Sequence, residues 1–166
     1  ADLTRSLDFY GGKLGFHVAS SQGREARLRC ASGNPALLVL EEHPGVRPAG
    51  PRSTGLFHGA ILFRDRRALG AWLGFAAGRG AEFDGFADHG VSEAVYLTDP
   101  DGHGLEFYAD RPRSAWPFTR GELAMFTRPL AVRELGPFGL TIEPAQAQVE
   151  AGKSVDASFD FGVTAY

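Results

Sequence analysis

Two polar side chains lie within strand-like segments that are mostly apolar: His58 in LFHGAILF (56–63) and Glu106 in GLEFYAD (104–110). A buried, unpaired carboxylate is costly, so it persists where a charge or a metal ion compensates it. Imidazole and carboxylate groups together are suitable ligands for a divalent cation. The pair therefore predicts a metal site. The structural alternative is a glutamate at a sheet edge or beside an arginine, with a hydrogen-bonded core histidine.

The convergence of these side chains depends on the sheet that carries them. Side chains alternate across a strand, so Leu105 and Phe107 must face opposite to Glu106. Tyr96 lies on the strand before the DPDG turn and can neighbour Glu106 across that hairpin. If the first and last strands of this unit share a concave face, His58 and Glu106 converge on it.

The order of predicted elements repeats along the chain. Residues 1–42 indicate helix-strand-strand-strand, and residues 56–110 indicate strand-helix-strand-strand-strand. The Pro- and Gly-rich residues 43–55 favour a linker, and residues 111–166 form a C-terminal arm or extension. Duplication of a unit of roughly 50 residues predicts an α+β fold of paired βαβββ modules. Their curved mixed sheet would surround a metal-binding cleft, and the pattern predicts that the first strand of module one is missing from residues 1–42.

Local signals mark both predicted helices. Asp2 is a candidate N-cap for a helix that runs to about Tyr10 and ends at Gly11-Gly12. Asp65 is a candidate N-cap for the second helix, which ends near Gly78. Alternating residues in the last 26 positions, TIEPAQAQVEAGKSVDASFDFGVTAY, are compatible with one or two strands. Apolar and β-branched runs predict further strands at 14–20, 25–31, 35–42, 81–86 and 93–99.

Two protein ligands hold a metal weakly, and the repeat indicates where a third is expected. Asp65 follows His58 by seven residues, so the counterpart of His58 falls about five residues before Ala1. The counterpart of Glu106 falls near Leu37, whose apolar side chain argues against a fourth protein ligand. Two histidines and one carboxylate with open positions are the ligand set of non-haem Fe(II) enzymes.

Composition excludes several classes of function. The 166 residues are 43% hydrophobic with a net charge of −3, so no basic field attracts nucleic acid or anionic lipid. No apolar run approaches the roughly 20 residues of a membrane helix, and no signal peptide is visible. The single cysteine, Cys30, excludes an internal disulfide and fits a reducing compartment. We expect a cytoplasmic protein without nucleic-acid or membrane partners.

The segments GLFHGAILF and SEAVYLTDPDGHGLEFYADRPRSAW resemble the vicinal oxygen chelate superfamily of glyoxalases, bleomycin-resistance proteins and extradiol dioxygenases. The opening ADLTRSLDFYGGKLGF is similar to the first-helix signature of that superfamily. Within it, the small catechol-2,3-dioxygenase-like proteins show the closest likeness. The resemblance covers roughly residues 1–130.

This resemblance implies roles for individual residues. His58 and Glu106 would be metal ligands, Tyr96 would hydrogen-bond a catecholate oxygen, and His89 would contact substrate or bound oxygen. The implied activity is a metal-dependent extradiol ring-cleaving dioxygenase that acts on a catechol-type aromatic with O2. The implied metal is Fe(II), with Mn(II) or Zn(II) as alternatives. An aromatic ring would need an apolar wall, for which the candidates are Leu37, Phe57 and Phe107.

Other interpretations stay open on the residues alone. His89 also fits a surface histidine of a Gly-rich loop, and Tyr96 a packed core tyrosine. Mn(II)- or Zn(II)-dependent transferases or isomerases of the fosfomycin-resistance or glyoxalase type use a metal as a Lewis acid, but neither lysine, Lys13 or Lys153, lies near the predicted site. Non-catalytic small-molecule-binding resistance proteins generally lack the ligands. Arg111 fits a solvated arm, and an unpaired strand edge is compatible with a homodimer.

Overall fold

The computed structural model describes residues 2–30, 35–46, 55–132, 135 and 161–163 of the chain. Helix α1 spans Leu3–Leu7 and continues as a π-helical segment, Asp8–Lys13; helix α2 spans Arg66–Gly78. A 3₁₀ turn spans Arg113–Ala115. The strands are β1 (His17–Gln22), β2 (Glu25–Arg29), β3 (Leu38–Glu41), β4 (His58–Phe63), β5 (Gly85–Asp88), β6 (Ser92–Thr98), β7 (Gly104–Asp110), β8 (Phe118–Thr119), β9 (Glu122–Leu123), β10 (Arg128–Pro129) and β11 (Phe161–Val163).

The strand order of the first sheet, β1-β2-β3, corresponds to the order β5-β6-β7 within the larger sheet. The first sheet has the order β1-β2-β3, and the larger sheet has the order β10-β5-β6-β7-β4-β11. Strand β4 pairs parallel with β7, whereas β5, β6 and β7 pair antiparallel. By analogy, the counterpart of β4 in the first unit would lie against β3. The predicted α+β class with curved sheets is confirmed. The predicted linker, 43–55, lies mostly outside the described residues.

Both predicted N-caps are confirmed, but the end of the first helix is not where the glycines indicate. Asp2 Oδ1 accepts from Arg5 N at 3.1 Å, and Asp65 Oδ1 accepts from Ala68 N at 2.7 Å. The first helix continues past Gly11-Gly12 to Lys13 in wider turns. Tertiary packing explains the extension, because it buries aromatic side chains on this segment.

Helix α2 packs on the face of the large sheet that is opposite to Glu106. Trp72 is fully buried and stacks on Phe107 with ring centroids 4.0 Å apart. The Trp72 indole N–H donates to Leu14 O at 3.0 Å, which ties α2 to the end of the first helix. This layer leaves the other sheet face for polar side chains. No helix among the described residues is both long and apolar enough to cross a membrane.

The first helix is also bound to the turn between β6 and β7. The buried Asp99 accepts a hydrogen bond from the Tyr10 hydroxyl at 3.0 Å and from the backbone N–H groups of Asp101 and His103. Asp101 in turn pairs with Arg5. Burial raises the pKa of Tyr10 above its usual range, and the negative charge of Asp99 raises it further. This turn therefore holds the hairpin that carries Tyr96 and Glu106.

We expect the free energy of unfolding to fall as pH rises above about 10, where tyrosine in an unfolded chain ionises. The folded chain retains the Tyr10 proton at that pH, so the unfolded state binds fewer protons and each pH unit costs about 1.4 kcal/mol. Tyr10→Phe should remove the contribution of Tyr10 to the change of the free energy of unfolding with pH. It should also lower that free energy by about 1 kcal/mol at neutral pH, because the hydrogen bond to Asp99 is lost. Urea unfolding at several alkaline pH values measures both effects. Equal slopes in the two proteins would contradict the assignment.

Candidate metal centre

The second sheet brings the predicted ligands to one face through its register. Ala60 pairs with Glu106, and Glu106 pairs with Tyr96 across β4, β7 and β6. His58 lies two residues from Ala60 and so shares its face. His58 Nε2 and Glu106 Oε2 are 2.9 Å apart, with side chains 26% and 15% exposed. The convergence predicted from strand alternation therefore occurs at hydrogen-bond distance.

A chain of hydrogen bonds continues from Glu106 to Tyr96 and His89. The Tyr96 hydroxyl donates to Glu106 Oε1 at 2.8 Å, and its oxygen lies 2.8 Å from His89 Nε2. A phenol carries one proton, and Tyr96 gives it to the carboxylate, so His89 must donate through Nε2. In neutral His89 the other ring nitrogen, Nδ1, then accepts from Thr127 Oγ1 at 3.1 Å. The proton on each member of the chain is thus defined.

Burial raises the pKa of Tyr96 above its usual range, and the hydrogen bond and charge of Glu106 raise it further. Tyr96 therefore keeps its proton around neutral pH. A neutral phenol in this position can both accept from His89 and donate to an oxygen anion. This is a polar side chain with two defined partners, which differs from a simple packed core tyrosine.

The C-terminal arm contributes to the placement of His89. Phe126 N donates to His89 O at 3.4 Å, and strand β10 pairs with β5 just before His89. The ring of Phe126 packs so closely on Gly90 that a Cβ there would lie 2.7 Å from it, and Gly90 has a φ of +76°. Glycine is therefore required at this corner, both for its backbone conformation and for the ring's approach. Thr127 had no signal in the sequence, since it lies 38 residues from His89.

An open cavity of about 340 Å³ adjoins one of the candidate ligands, His58. His58 and Tyr96 line it together with Phe57, which confirms one of the three predicted wall residues as a lining residue. Phe107 was a wrong choice, because it is fully buried against Trp72 on the opposite face. Leu37 packs against the hydrophobic core and does not line this cavity. The alternation that turns Glu106 towards His58 and Tyr96 directs Phe107 towards α2.

Asp84 and Thr98 also line the cavity, and neither was predicted from the sequence as a site residue. Thr98 Oγ1 donates to Asp84 Oδ2 at 2.6 Å. Thr98 was accessible to inference, because it lies two residues from Tyr96 on the same strand and so shares its face. Asp84 could not be inferred from the sequence. It directly precedes β5, and its backbone N donates to Tyr96 O of β6 at 2.8 Å. Only the pairing of β5 with β6 brings it to the cavity.

Arg111 is a structural residue, contrary to the expectation of a solvated arm. Its guanidinium pairs with Glu93 at 2.9 Å and with Asp88 at 3.1 Å. Glu93 is almost fully buried and also contacts Arg66 of α2. A buried carboxylate needs such compensation. Arg111 therefore joins the end of β7 to β5 and β6.

The geometry of His58 and Glu106 fits two ligands of a divalent cation. Adjacent ligands bonded at about 2.1 Å to one cation lie about 3 Å apart, which matches their donor separation. The same distance also fits a plain ion pair. Among the described residues, no group of three or more His, Cys, Asp and Glu side chains is arranged to hold a metal ion. The described part of the chain thus contains two of the three predicted ligand positions, His58 and Glu106.

The chain belongs to the glyoxalase/bleomycin resistance protein/dioxygenase superfamily, whose family model matches residues 1–107. It is 47% identical over 135 residues to a Bacillus subtilis (strain 168) protein named catechol-2,3-dioxygenase. This match covers 80% of the chain and 47% of the relative, so the chain spans about half the length of that protein.

Solved structures share the fold. A glyoxalase/bleomycin resistance protein/dioxygenase from Alicyclobacillus acidocaldarius matches with a TM-score of 0.54 at 23% identity, covering 69% of this chain and 87% of that one. A glyoxalase/dioxygenase from Nostoc punctiforme matches with a TM-score of 0.54 at 21% identity, covering 67% and 85%. At this level of identity the structures support the fold alone. The fold and superfamily predicted from the sequence are confirmed.

Proposed function

We propose that the chain is part of a metal-dependent extradiol dioxygenase, which cleaves the ring of a catechol-type aromatic with O2. The observation that carries the proposal is the row of contacts His58–Glu106–Tyr96–His89 beside an open cavity: an ion pair between the first two residues and hydrogen bonds between the others. The similarity to the Bacillus subtilis protein supports the same chemistry. The proposed partners are a small aromatic substrate and O2.

His58 and Glu106 would hold the metal. Divalent iron is the proposed occupant, and it would supply the electron transfer between an aromatic diol and O2. Mn(II) and Zn(II) accept similar ligands, so the donor set alone does not select among them. Tyr96 O–H holds Oε1 of Glu106, which leaves Oε2 as the oxygen that faces His58. The fixed carboxylate is thereby oriented before any ligand arrives.

Tyr96 and His89 would act on the substrate. The Tyr96 hydroxyl would orient a catechol oxygen that enters the cavity, because two hydrogen bonds fix its position, one donated to Glu106 and one accepted from His89. The His89 Nε2 proton, already directed at Tyr96, would then be available to substrate oxygen through the same chain. Thr127 keeps the ring in the orientation that presents Nε2. Phe57 would pack against the aromatic ring at the cavity mouth.

The proposal is tested with protein loaded anaerobically with Fe(II) and then mixed with catechol and oxygenated buffer. We expect one O2 consumed per ring cleaved and a yellow ring-opened product, measured with an oxygen electrode and by absorbance. Parallel samples loaded with Mn(II) or Zn(II) identify the metal that supports turnover. Absence of O2 uptake with every metal, in protein that has bound the metal, would remove the dioxygenase assignment.

A further inference from the structure

The cavity beside the candidate metal centre has an uneven charge. Its described lining consists of Phe57, His58, Asp84, Tyr96, Leu97, Thr98, Gly104 and Leu105. Among these residues Asp84 is a carboxylate, and none is lysine or arginine. A negatively charged substituent on a bound ring would therefore meet a like charge without a compensating cation from this lining.

The position of Asp84 relative to His58 follows from the register. Thr98 pairs with Gly104, and Gly104 pairs with His58. Neighbouring strands lie about 4.8 Å apart, so the backbones of Thr98 and His58 are about 10 Å apart with a glycine between them. Asp84 accepts a hydrogen bond from Thr98, and Asp84 lies beyond Thr98 as seen from His58. A ring held near His58 would thus extend its substituent towards Asp84.

The Phe57 side chain marks the other side of the cavity. It is 89% exposed, and its ring centroid lies 4.8 Å from that of His58. An exposed phenylalanine beside polar site residues offers an apolar surface to a ligand. Its π-face also attracts cations. Phe57 and Asp84 therefore favour the same kind of ligand, one with an aromatic ring and a positive or hydrogen-bond-donating substituent.

We propose that this cavity selects aromatic diols whose substituent is a protonated amine or another hydrogen-bond donor, and discriminates against those that carry a carboxylate. The inference rests on the proposed function and adds its substrate class. Two unit charges about 8 Å apart, at an effective dielectric constant of about 40, change an affinity by about fivefold. The charge of Asp84 strengthens binding of the amine and weakens binding of the carboxylate. Removing that charge should therefore change the ratio of the two affinities by about tenfold or more at low salt.

The test measures equilibrium binding of two phenols that are not ring-cleavage substrates: tyramine and its carboxylate counterpart, para-hydroxyphenylacetate. Isothermal titration calorimetry of the full chain is expected to show tighter binding of tyramine. Asp84→Asn should reduce the ratio of the two affinities by about tenfold at low ionic strength. Because Asp84 is exposed and Asn can still accept from Thr98, the variant should fold normally.

Glu82→Gln is the matched control, since it removes the same charge from an exposed side chain two residues away that does not line the cavity. It should leave the ratio unchanged. The proposal is overturned if Asp84→Asn leaves the ratio unchanged, if Glu82→Gln changes it equally, or if neither phenol binds. Binding does not require turnover, so loss of catechol cleavage with an intact charge preference would overturn only the proposed function. Turnover without a charge preference would overturn only this inference.

Discussion

Replacing Glu106 by glutamine, or His58 by alanine, is expected to lower the affinity for divalent metal by at least a hundredfold and to abolish turnover. His58 Nε2 and Glu106 Oε2 lie 2.9 Å apart, and His58 lines the cavity. Loss of a group that merely supports a ligand costs about 10- to 100-fold in metal affinity, and a ligand itself should cost more. Metal content after dialysis and titration with Fe(II) or Co(II) measure the effect.

The chain contains a matched control for this experiment. His43 Nε2 and Glu41 Oε2 form a similar pair at 3.1 Å, but their side chains are 66% and 54% exposed. His43→Ala and Glu41→Gln should leave metal binding and turnover unchanged. The structural alternative predicts a different result: variants of His58 and Glu106 would lower the unfolding midpoint and keep the parental metal affinity. That outcome would exclude the metal centre.

The sequence was sufficient to predict the parts of the site that depend on periodicity. Strand alternation placed Glu106 opposite Leu105 and Phe107, and it predicted that His58 and Glu106 converge if the first and last strands share a face. These strands are neighbours in the sheet. The face that each side chain occupies follows from alternation along its own strand. Applied consistently, the same rule places Phe107 on the face opposite to Glu106, where it stacks on Trp72.

The remaining parts of the site depend on pairings between distant segments. Thr127 reaches His89 because β10 adds to β5, and no local pattern indicates that pairing. Asp84 reaches the cavity only through the register of β5 on β6. The first helix shows the same limit, since Gly11-Gly12 predicts an end that packing of its aromatic residues overrides. Local propensity is a weak prior wherever tertiary contacts bury a segment.

His89→Ala is expected to lower kcat by about a hundredfold or more while leaving metal content unchanged. A positioned proton donor contributes about 10²- to 10⁴-fold to a rate, and His89 Nε2 contacts Tyr96, not His58 or Glu106. Tyr96→Phe should lower kcat to a similar extent. It should also weaken metal binding, because Glu106 loses the donor that holds Oε1. Steady-state O2 uptake and metal analysis separate the two effects.

The double variant tests whether Tyr96 and His89 act as one chain. Groups that work as a unit give non-additive losses, so the Tyr96→Phe/His89→Ala protein should have nearly the kcat of the worse single variant. His17→Ala, which alters an exposed histidine on β1, is the control and should retain parental kcat. Multiplicative losses would show that the two residues act independently. A parental kcat in His89→Ala would contradict the proton-donor role, because the hydrogen bond to Tyr96 would then contribute nothing to the reaction.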